Sequence, residues 1–310
     1  MRIVNAYTAA TKTALITGST DGIGLTTAKQ LASKGYNTII HGRNPKRIQE
    51  AVNTVTSHVN ANSQEDPKIY SVESDISTVQ GCKALAHKVQ SILKDNDLSL
   101  DVLMNNAGVF EPDHVLTDDH LEMTFAVNVM APFVITSNLL PELLSLKNSL
   151  QSRVVITSSI SQCHSIDNWD DLQFLERPYS THRAYSESKL FDAMLSAEIA
   201  TRFTNADIGT DRITCNSLDP GTVNTKMLLA GWGPCGIDVE DALDESWICT
   251  NDDVKDVSGA YFNWKSVSKK ADAYKTTERE QMWNVLSNID PVSAAIWEDL
   301  TQFSKKIAHK

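Results

Sequence analysis

Short apolar runs alternate with segments of helical periodicity along the first two thirds of the chain. The apolar runs predict strands near 12–17, 36–41, 68–73, 100–105, 152–158 and 211–217. Between them, apolar residues recur at helical spacing near 23–34, 45–59, 78–94, 117–146 and 184–203. This alternation is typical of βαβ units and a parallel sheet. Because the strands are apolar nearly throughout, we expect helices on both faces of the sheet.

Two segments depart from this alternation. Residues 160–183 are polar and aromatic, and residues 222–270 mix Gly, Trp and Asp with short helical patterns. Long excursions after strand ends carry substrate-binding surface in such folds, so we predict that both segments line a substrate site. The tail, 276–308, has a helical pattern with a break at 287–291, because Pro291 disfavours helix at Asp290. We predict one domain over residues 1–310.

The composition narrows the class of protein. Hydrophobic residues make up 41%, which is enough for a sizeable core, and 28 basic against 39 acidic residues give a formal charge of −11. That charge argues against non-specific nucleic-acid binding and against docking on anionic lipid. The five cysteines are dispersed without a C-x-x-C pair, which favours reduced thiols. No signal peptide or apolar run of ~20 residues is recognisable, so we expect a soluble cytoplasmic protein without a membrane span.

A glycine-rich turn follows the first predicted strand directly. In the run Gly18-Ser19-Thr20-Asp21-Gly22-Ile23-Gly24, the first glycine permits a tight turn and the second lets the backbone approach a pyrophosphate. Gly24 allows the following helix to pack close to the strand, and the helix N-terminus offers free N–H groups to phosphates. This motif predicts a dinucleotide site. An ordinary glycine-rich strand–helix turn is the alternative.

The end of the second predicted strand indicates which dinucleotide binds. NAD-binding proteins carry a carboxylate near this point for the ribose hydroxyls, whereas here Gly42 and Arg43 follow the strand. A guanidinium suits a 2′-phosphate, so we predict NADP(H), with Arg43 and Asn44 at that phosphate. A surface arginine at a strand end is the alternative. Asp75, after the third strand, could accept from the adenine amino group or cap the next helix, although Ser77 is better placed as that cap.

Six motifs occur in order along the chain. They are Thr17-Gly18-x-x-x-Gly22-Ile23-Gly24, Asn105-Asn106-Ala107-Gly108, Asn128, Ser158-Ser159, Tyr185-Ser186-Glu187-Ser188-Lys189 and Asp219-Pro220-Gly221-Thr222-Val223. The series closely resembles the short-chain dehydrogenase/reductases over about residues 12–230. The segments 167–172 and 177–180 are similar to the retinol-dehydrogenase-like branch, in which a comparable insertion precedes the tyrosine–lysine helix.

The tyrosine and lysine of the fifth motif also support proton chemistry on their own. Tyr185 and Lys189 are i and i+4 on a helix and share a face, and a nearby ammonium lowers the pKa of a phenol. Ser159 could hydrogen-bond the substrate oxygen and stabilise developing charge. The resemblance implies that Ser159 carries the chemistry while Ser158 is structural. It also implies that Asn128 supports a water-linked proton path to Lys189, with bracing of neighbouring backbone as the alternative.

These observations together predict a three-layer Rossmann fold with a doubly wound, mainly parallel sheet of seven strands, binding NADP(H). The predicted cofactor residues are Gly18, Ser19, Thr20, Asp21, Gly22, Ile23, Gly24, Arg43, Asn44, Asp75, Ile76, Asn106, Ala107, Gly108, Tyr185, Lys189, Pro220, Gly221 and Thr222. Trp169, Phe174, Trp232 and Trp247 could line an apolar substrate pocket or pin loops. His41, His164 and His182 lack metal-ligand spacing, so we predict no metal site.

We expect an NADPH-dependent oxidoreductase that interconverts a carbonyl and an alcohol and acts as a monomer or homodimer. The resemblance implies a medium-sized apolar substrate. Two alternatives stay open. One is an NAD-linked enzyme working in the alcohol-oxidising direction, against which the missing carboxylate after the second strand speaks. The other is a catalytically silent nucleotide-sensing or partner-binding protein on the same fold.

Overall fold

The computed structural model describes residues 11–62, 66–145, 147, 151–268 and 275–300, which form a three-layer fold around one sheet. The sheet has eight strands in the order β3-β2-β1-β4-β5-β6-β7-β8. The strands are β1 (Thr13–Ile16), β2 (Asn37–Gly42), β3 (Ile69–Glu73), β4 (Val102–Asn105), β5 (Ser152–Thr157), β6 (Ile213–Leu218), β7 (Tyr261–Asn263) and β8 (Ser266–Val267). All neighbouring strands from β3 to β7 are parallel, which confirms a doubly wound Rossmann fold.

The sheet differs from the prediction at one edge. We predicted seven strands, whereas β8 adds an eighth, pairing antiparallel with β7. The two strands are joined at Trp264 and Lys265, both of which adopt positive φ. Strands of three and two residues are too short to show a periodic pattern, so the sequence signal for this hairpin was weak.

Helices cover both faces of the sheet, as the apolar strands predicted. In chain order they are α1 (Gly22–Ser33), α2 (Pro45–Asn62), α3 (Val79–Asp95), α4 (Met123–Phe125), α5 (Ala131–Leu143), α6 (Thr181–Asn205), α7 (Lys226–Gly231), α8 (Asp244–Thr250), α9 (Thr276–Ile289) and α10 (Pro291–Glu298). One buried cluster joins α3, α5, α6, α9 and α10 to the sheet, and a second joins α1, α2 and α8 to its other face. The strands are therefore enclosed between two apolar layers.

The helix predicted over 117–146 begins later than expected. Leu116 and Glu122 form an isolated antiparallel bridge, so the chain turns back on itself before α4 begins at Met123. Between α4 and α5, Ala126–Met130 form a π-helical turn. Residue 146 lies outside the described residues.

The C-terminal helices lie against α5 and α6. Trp297 of α10 donates from Nε1 to the Ser137 hydroxyl at 2.6 Å, and the Asn138 amide donates to Ser293 at 2.8 Å. Trp283 of α9 packs edge-on against Phe133, with the ring centroids 5.2 Å apart. The break predicted at Asp290 is confirmed, because α9 ends there and Pro291 begins α10. Residues 301–308 of the predicted tail helix lie outside the described residues.

The segment Met123–Leu143 is long and apolar enough to cross a membrane by length and composition, with a mean hydropathy of 1.5. In this fold 89% of that window is buried. It packs against α3, α10 and the sheet as a core helix.

Candidate active site

A cavity of about 520 Å³ opens at the carboxyl ends of the parallel strands. Loops that follow β1, β2, β4, β5 and β6 all contribute to its walls. All but two of the predicted cofactor residues line it. Of the two, Ser19 is buried, with its hydroxyl donating to the Ile16 carbonyl at 2.8 Å and accepting from the His41 amide at 2.9 Å. The side chain of Asn44 accepts from the Arg47 amide at 3.1 Å, at the start of α2.

The glycine turn forms a backbone cradle at one end of the cavity. Gly18 has φ +65°, and a Cβ there would lie 2.9 Å from the Cα of Ala107. At Gly24 a Cβ would lie 2.6 Å from the Gly18 carbonyl oxygen, so the helix packs closely against the turn. The side-chain Nδ2 of Asn106 donates to the Thr17 carbonyl at 2.9 Å and ties the loop after β4 to the glycine turn. Because α1 begins in this cradle, its free N–H groups fit a pyrophosphate.

His41 at the end of β2 supports the glycine turn through a hydrogen bond. The Gly18 amide donates to His41 Nδ1 at 3.1 Å, and Nε2 lies 3.2 Å from the Ser74 carbonyl oxygen. Burial lowers the pKa of His41 to about 4, so the ring is neutral at pH 7 and its proton is on Nε2. His41 therefore links the ends of β1, β2 and β3 through hydrogen bonds.

Three cationic side chains line the same end of the cavity: Arg43, Arg47 and Lys226. Arg47 donates to the Asp21 carboxylate at 2.9 Å, and Lys226 of α7 pairs with the same carboxylate. Burial would raise the pKa of Asp21, but Lys226, the Gly22 amide and Arg47 outweigh it and lower that pKa below its ordinary value. Asp21 also begins α1, accepting from Gly22 at 2.8 Å. The excess of positive charge suits a phosphate group.

Asp75 lies on the cavity wall and does not cap α3. Its carboxylate accepts from the Ser77 amide at 3.0 Å. The cap of α3 is Thr78, whose hydroxyl accepts from the Gly81 amide at 3.1 Å, so our expectation for Ser77 was wrong. Thr78 precedes the helix by one residue, which is where a capping hydroxyl reaches the free N–H groups.

Ser159, Tyr185 and Lys189 meet at the inner end of the cavity. Ser159 lies close enough to the Tyr185 phenol to lower its pKa. The Lys189 Nζ lies 5.6 Å from the centroid of the Tyr185 ring. The Ser158 hydroxyl donates to the Lys189 carbonyl at 2.6 Å, which agrees with the structural role expected for it. Ser158 therefore holds α6 in place.

The phenol is less acidic than the sequence suggested. We expected Lys189 to lower the pKa of Tyr185, but burial, together with Asp192 and Asp219, outweighs the lowering effect of Lys189 and Ser159, and the net shift is upward. Burial also opposes the charge on Lys189, yet Asp192 and Tyr185 outweigh that penalty and raise the pKa of its ammonium. At neutral pH the structure therefore holds a protonated phenol beside a protonated ammonium.

Asn128 lies in the π-helical turn, where it braces three neighbouring groups. Its side-chain oxygen accepts from the Val109 amide at 2.8 Å, and its Nδ2 donates to the Val109 carbonyl at 3.1 Å and to the Ser188 hydroxyl at 2.9 Å. The wider turn directs the side chain inward, a common use of a π-bulge at a functional site. Asn128 thus braces the neighbouring backbone, which is the alternative role that the sequence left open. The Asn128 oxygen and the Lys189 Nζ both lie near Gly108, 3.5 and 3.6 Å from where a Cβ of that residue would stand.

Three aromatic rings pack beside the Tyr185 phenol, and Trp232 among them lines the cavity. Phe110 lies 4.9 Å from Trp232 and 5.5 Å from Tyr185, and Trp232 lies 5.7 Å from Tyr185, measured between ring centroids. His182 closes the group at 5.1 Å from Phe110. We refer to Phe110, His182 and Trp232 as the aromatic wall. It leaves an apolar surface next to the reacting group.

The two excursion segments contribute less of the cavity than predicted. From 160–183 only Ile160 and Ser161 line it, and among the described residues 222–268 its lining is confined to 222–235. The remaining aromatic residues that we singled out pin loops: Trp169 packs on Phe191 with centroids 5.5 Å apart, Phe174 lies under the Arg177 guanidinium, and Trp247 packs on Phe262. The 160–183 segment is chiefly a brace on α6, since Arg177 pairs with Glu187 at 2.7 Å.

The sequence did not predict two residues that line the cavity, Arg47 and Lys226, or Phe110, which packs against Tyr185. Arg47 lies four residues after Arg43, in the first turn of α2, and this second arginine near the strand end was the available signal. Lys226 comes from the excursion segment, and its approach to Asp21, 205 positions away, depends on the fold. Phe110 had no signal beyond its place shortly after the fourth strand. Within the part of the chain that the structure describes, no three His, Cys, Asp or Glu residues lie close enough to hold a metal ion.

Comparison with known proteins gives consistent matches. The model of the short chain dehydrogenase family matches residues 12–171, just over half of the chain. Retinol dehydrogenase 14 of Homo sapiens is 31% identical over 273 residues, covering 81% of this chain and 77% of that protein. Polyprenol dehydrogenase of Homo sapiens is 30% identical over 287 residues, covering 88% of this chain and 83% of that protein. The structure of a short chain dehydrogenase from Shigella flexneri 2A str. 301 complexed with NADP matches with a TM-score of 0.61 and 24% identity, covering 82% and 96%.

Proposed function

Because the chain belongs to the short-chain dehydrogenase family, in its retinol-dehydrogenase-like branch, we propose that it reduces a carbonyl to an alcohol with NADPH. The observation that carries this proposal is the convergence of Ser159, Tyr185 and Lys189 at one end of a cavity whose other end is the glycine cradle. A nucleotide-binding surface alone would not need these three groups together. Their joint position supports turnover over silent binding.

The proton chemistry follows from the residues of the site. NADPH held at the glycine cradle would supply the hydride to the carbonyl carbon. Tyr185 donates its phenolic proton to the carbonyl oxygen, and Ser159 stabilises that oxygen by a hydrogen bond while its charge develops. The phenolate that remains is stabilised by the Lys189 ammonium and regains a proton from solvent. In alcohol oxidation the same groups act in reverse order.

We propose NADPH over NADH because of the charge at the outer end of the cavity. Arg43 and Arg47 line this end, and no carboxylate follows β2 before Pro45. Such a carboxylate would repel a 2′-phosphate, whereas two guanidinium groups favour it. The Shigella protein's complex with NADP supports the same preference. Asp21 neutralises part of this positive charge, so Arg43 is expected to contribute more than Arg47.

We propose a medium-sized apolar substrate on the basis of the aromatic wall. Phe110 and Trp232 stand directly beside Tyr185, so a carbonyl held at the phenol has apolar surface next to it. The relatives named for retinol and polyprenol support the same class. Ile160, which is 53% exposed, extends the apolar surface to the cavity mouth.

Two measurements test this function. Titration with NADPH and NADH, followed by protein fluorescence, should give tighter binding of NADPH, and Arg43→Ala should reduce that preference. A screen of apolar aldehydes and ketones, following the loss of NADPH absorbance, should find a turned-over compound. Tighter binding of NADH would favour the NAD-linked alternative. NADPH binding without turnover of any carbonyl or alcohol would favour the nucleotide-sensing alternative.

We further propose that the protein is a monomer or a homodimer that does not pair through the outer faces of α5 and α6. The helices α9 and α10 pack on those faces within the same chain. Light scattering at several concentrations tests the oligomeric state. A stable tetramer would contradict the proposal.

A further inference from the structure

The ammonium of Lys189 is held by two buried acceptors. Its Nζ donates to the Asp192 carboxylate at 2.7 Å and to the Thr157 carbonyl at 2.8 Å. Lys189 is 4% exposed and Asp192 is 1% exposed, so solvent hardly screens this ion pair. Two of the three N–H groups of the ammonium are thus occupied, and one is left for the cavity.

Among the described residues, the Asp192 carboxylate accepts a hydrogen bond from Lys189 alone. Its Oδ2 accepts from Lys189, while its Oδ1 is buried and has no hydrogen-bond partner in the described residues. Asp192 is three residues after Lys189 on α6, so the helix itself sets the distance. A carboxylate this deeply buried is costly unless its charge is compensated, and Lys189 is the group that compensates it.

The ion pair with Asp192 weakens the effect of Lys189 on the pKa of Tyr185. An isolated ammonium would favour the phenolate, whereas the Asp192 carboxylate opposes that effect and raises the pKa of Tyr185. Burial raises the pKa of Asp192 itself, against the lowering effect of Lys189. From the other elements around the phenol, Asp219 after β6 acts on Tyr185 in the same direction as Asp192.

We propose that Asp192 is a positioning residue that fixes the Lys189 ammonium and offsets its charge beside Tyr185, so that Tyr185 remains a proton donor at neutral and mildly alkaline pH. The consequence for catalysis rests on the proposed function, because it assumes that Tyr185 donates to a carbonyl. The effect on ionisation of the phenol does not rest on it. With a neutral phenol and an ammonium paired with Asp192, the three side chains carry no net charge. This arrangement avoids the cost of an uncompensated charge in a buried site.

Asp192→Asn separates the charge from the packing. The amide has nearly the same size and keeps an oxygen that accepts from Lys189, but it carries no charge. The matched control is Glu198→Gln on the same helix, since Glu198 is a buried carboxylate paired with Arg202 and Arg279. Asp192→Ser is a second variant, in which a small hydroxyl replaces the carboxylate.

The phenol is followed directly by pH titration of tyrosinate absorbance. For each protein, subtraction of the same protein carrying Tyr185→Phe isolates the signal of Tyr185. We expect Tyr185 to ionise about one pH unit lower in Asp192→Asn than in the wild type, the usual size of the effect of one nearby charge. Glu198→Gln should leave its ionisation unchanged. The pH profile of alcohol oxidation should move in the same direction as the titration.

An unchanged titration in a folded Asp192→Asn or Asp192→Ser protein, with slower turnover at every pH, would overturn the proposal and leave Asp192 a structural residue. A shifted titration in a protein that turns over no carbonyl would support the role of Asp192 while contradicting the proposed function. The two failures are therefore distinguishable.

Discussion

Glu245 is a buried carboxyl group whose substitution should stabilise the protein. It lies on α8, which packs against α1 and β5, and it is 0% exposed. Neither carboxyl oxygen has a hydrogen-bond partner among the described residues. Burial, reinforced by Asp244 and Asp219, raises the pKa of Glu245 from 4.5 to about 8. The folded protein therefore keeps Glu245 protonated at pH 7, whereas the unfolded chain ionises it.

The sign of the pH dependence follows from that difference. Between the unfolded pKa of 4.5 and the folded pKa of about 8, the folded state binds one more proton than the unfolded state, so stability falls as the pH rises. One pKa unit corresponds to about 1.4 kcal/mol, which makes the loss about 3 kcal/mol at pH 7 and up to about 5 kcal/mol above pH 8. Glu245→Gln is neutral at every pH and avoids the loss.

Urea unfolding between pH 5 and pH 9 measures the effect, with fluorescence and circular dichroism required to give the same transition. We expect the free energy of unfolding of Glu245→Gln to approach that of the wild type near pH 5 and to exceed it increasingly toward pH 8. Glu198→Gln is the control of opposite sign, because it removes the carboxylate from a partly buried ion pair and should destabilise the protein at neutral pH. A constant difference across the pH range, or a destabilised Glu245→Gln protein at pH 8, would refute the reasoning.

Three other substitutions test the cradle, the aromatic wall and the C-terminal helices. Gly18→Ala should cost at least about 1 kcal/mol of stability and weaken NADPH binding in calorimetric titration, because φ is +65° there and Ala107 leaves no room for a Cβ; unchanged affinity would contradict the cradle. Trp232→Ala should raise KM for apolar carbonyls while leaving NADPH affinity within about twofold, and equal losses of both would count against a substrate role. Trp297→Phe should lower the free energy of unfolding by about 1 kcal/mol by removing the hydrogen bond to Ser137, whereas the exposed Val292→Ala on the same helix should change it by less than about 0.5 kcal/mol.

Much of the fold was predictable because its strands and long helices carry strong periodic signals. The six main strands begin and end within two residues of their predicted positions, since apolar runs between helical patterns have few other interpretations. The sequence did not locate the hairpin of β7 and β8, because strands of three and two residues are too short to show an alternating apolar pattern. The late start of α4 was also missed, since the turn between Leu116 and Glu122 depends on a tertiary bridge.

The site was predictable where one motif supplies several neighbouring groups, and less so where the fold brings distant residues together. Tyr185 and Lys189 share a helix face, so their approach follows from sequence spacing. The contact of Lys226 with Asp21 and the place of Phe110 beside the phenol depend on loop paths that no local pattern encodes. Burial was the other missing quantity: it reverses the expected shift of the Tyr185 pKa, and it can be read only from the packed structure.

The central claim is that Tyr185 transfers the proton in a carbonyl reduction driven by NADPH. Tyr185→Phe tests it most directly, because the substitution removes one hydroxyl from a ring that packs against Phe110 and Trp232. Single-turnover kinetics should be compared with NADPH affinity in the same preparation, using a carbonyl found in the screen. We expect NADPH to bind with nearly wild-type affinity while reduction slows by at least about 10²-fold, the usual contribution of general acid catalysis. Reduction at the wild-type rate would contradict the claim.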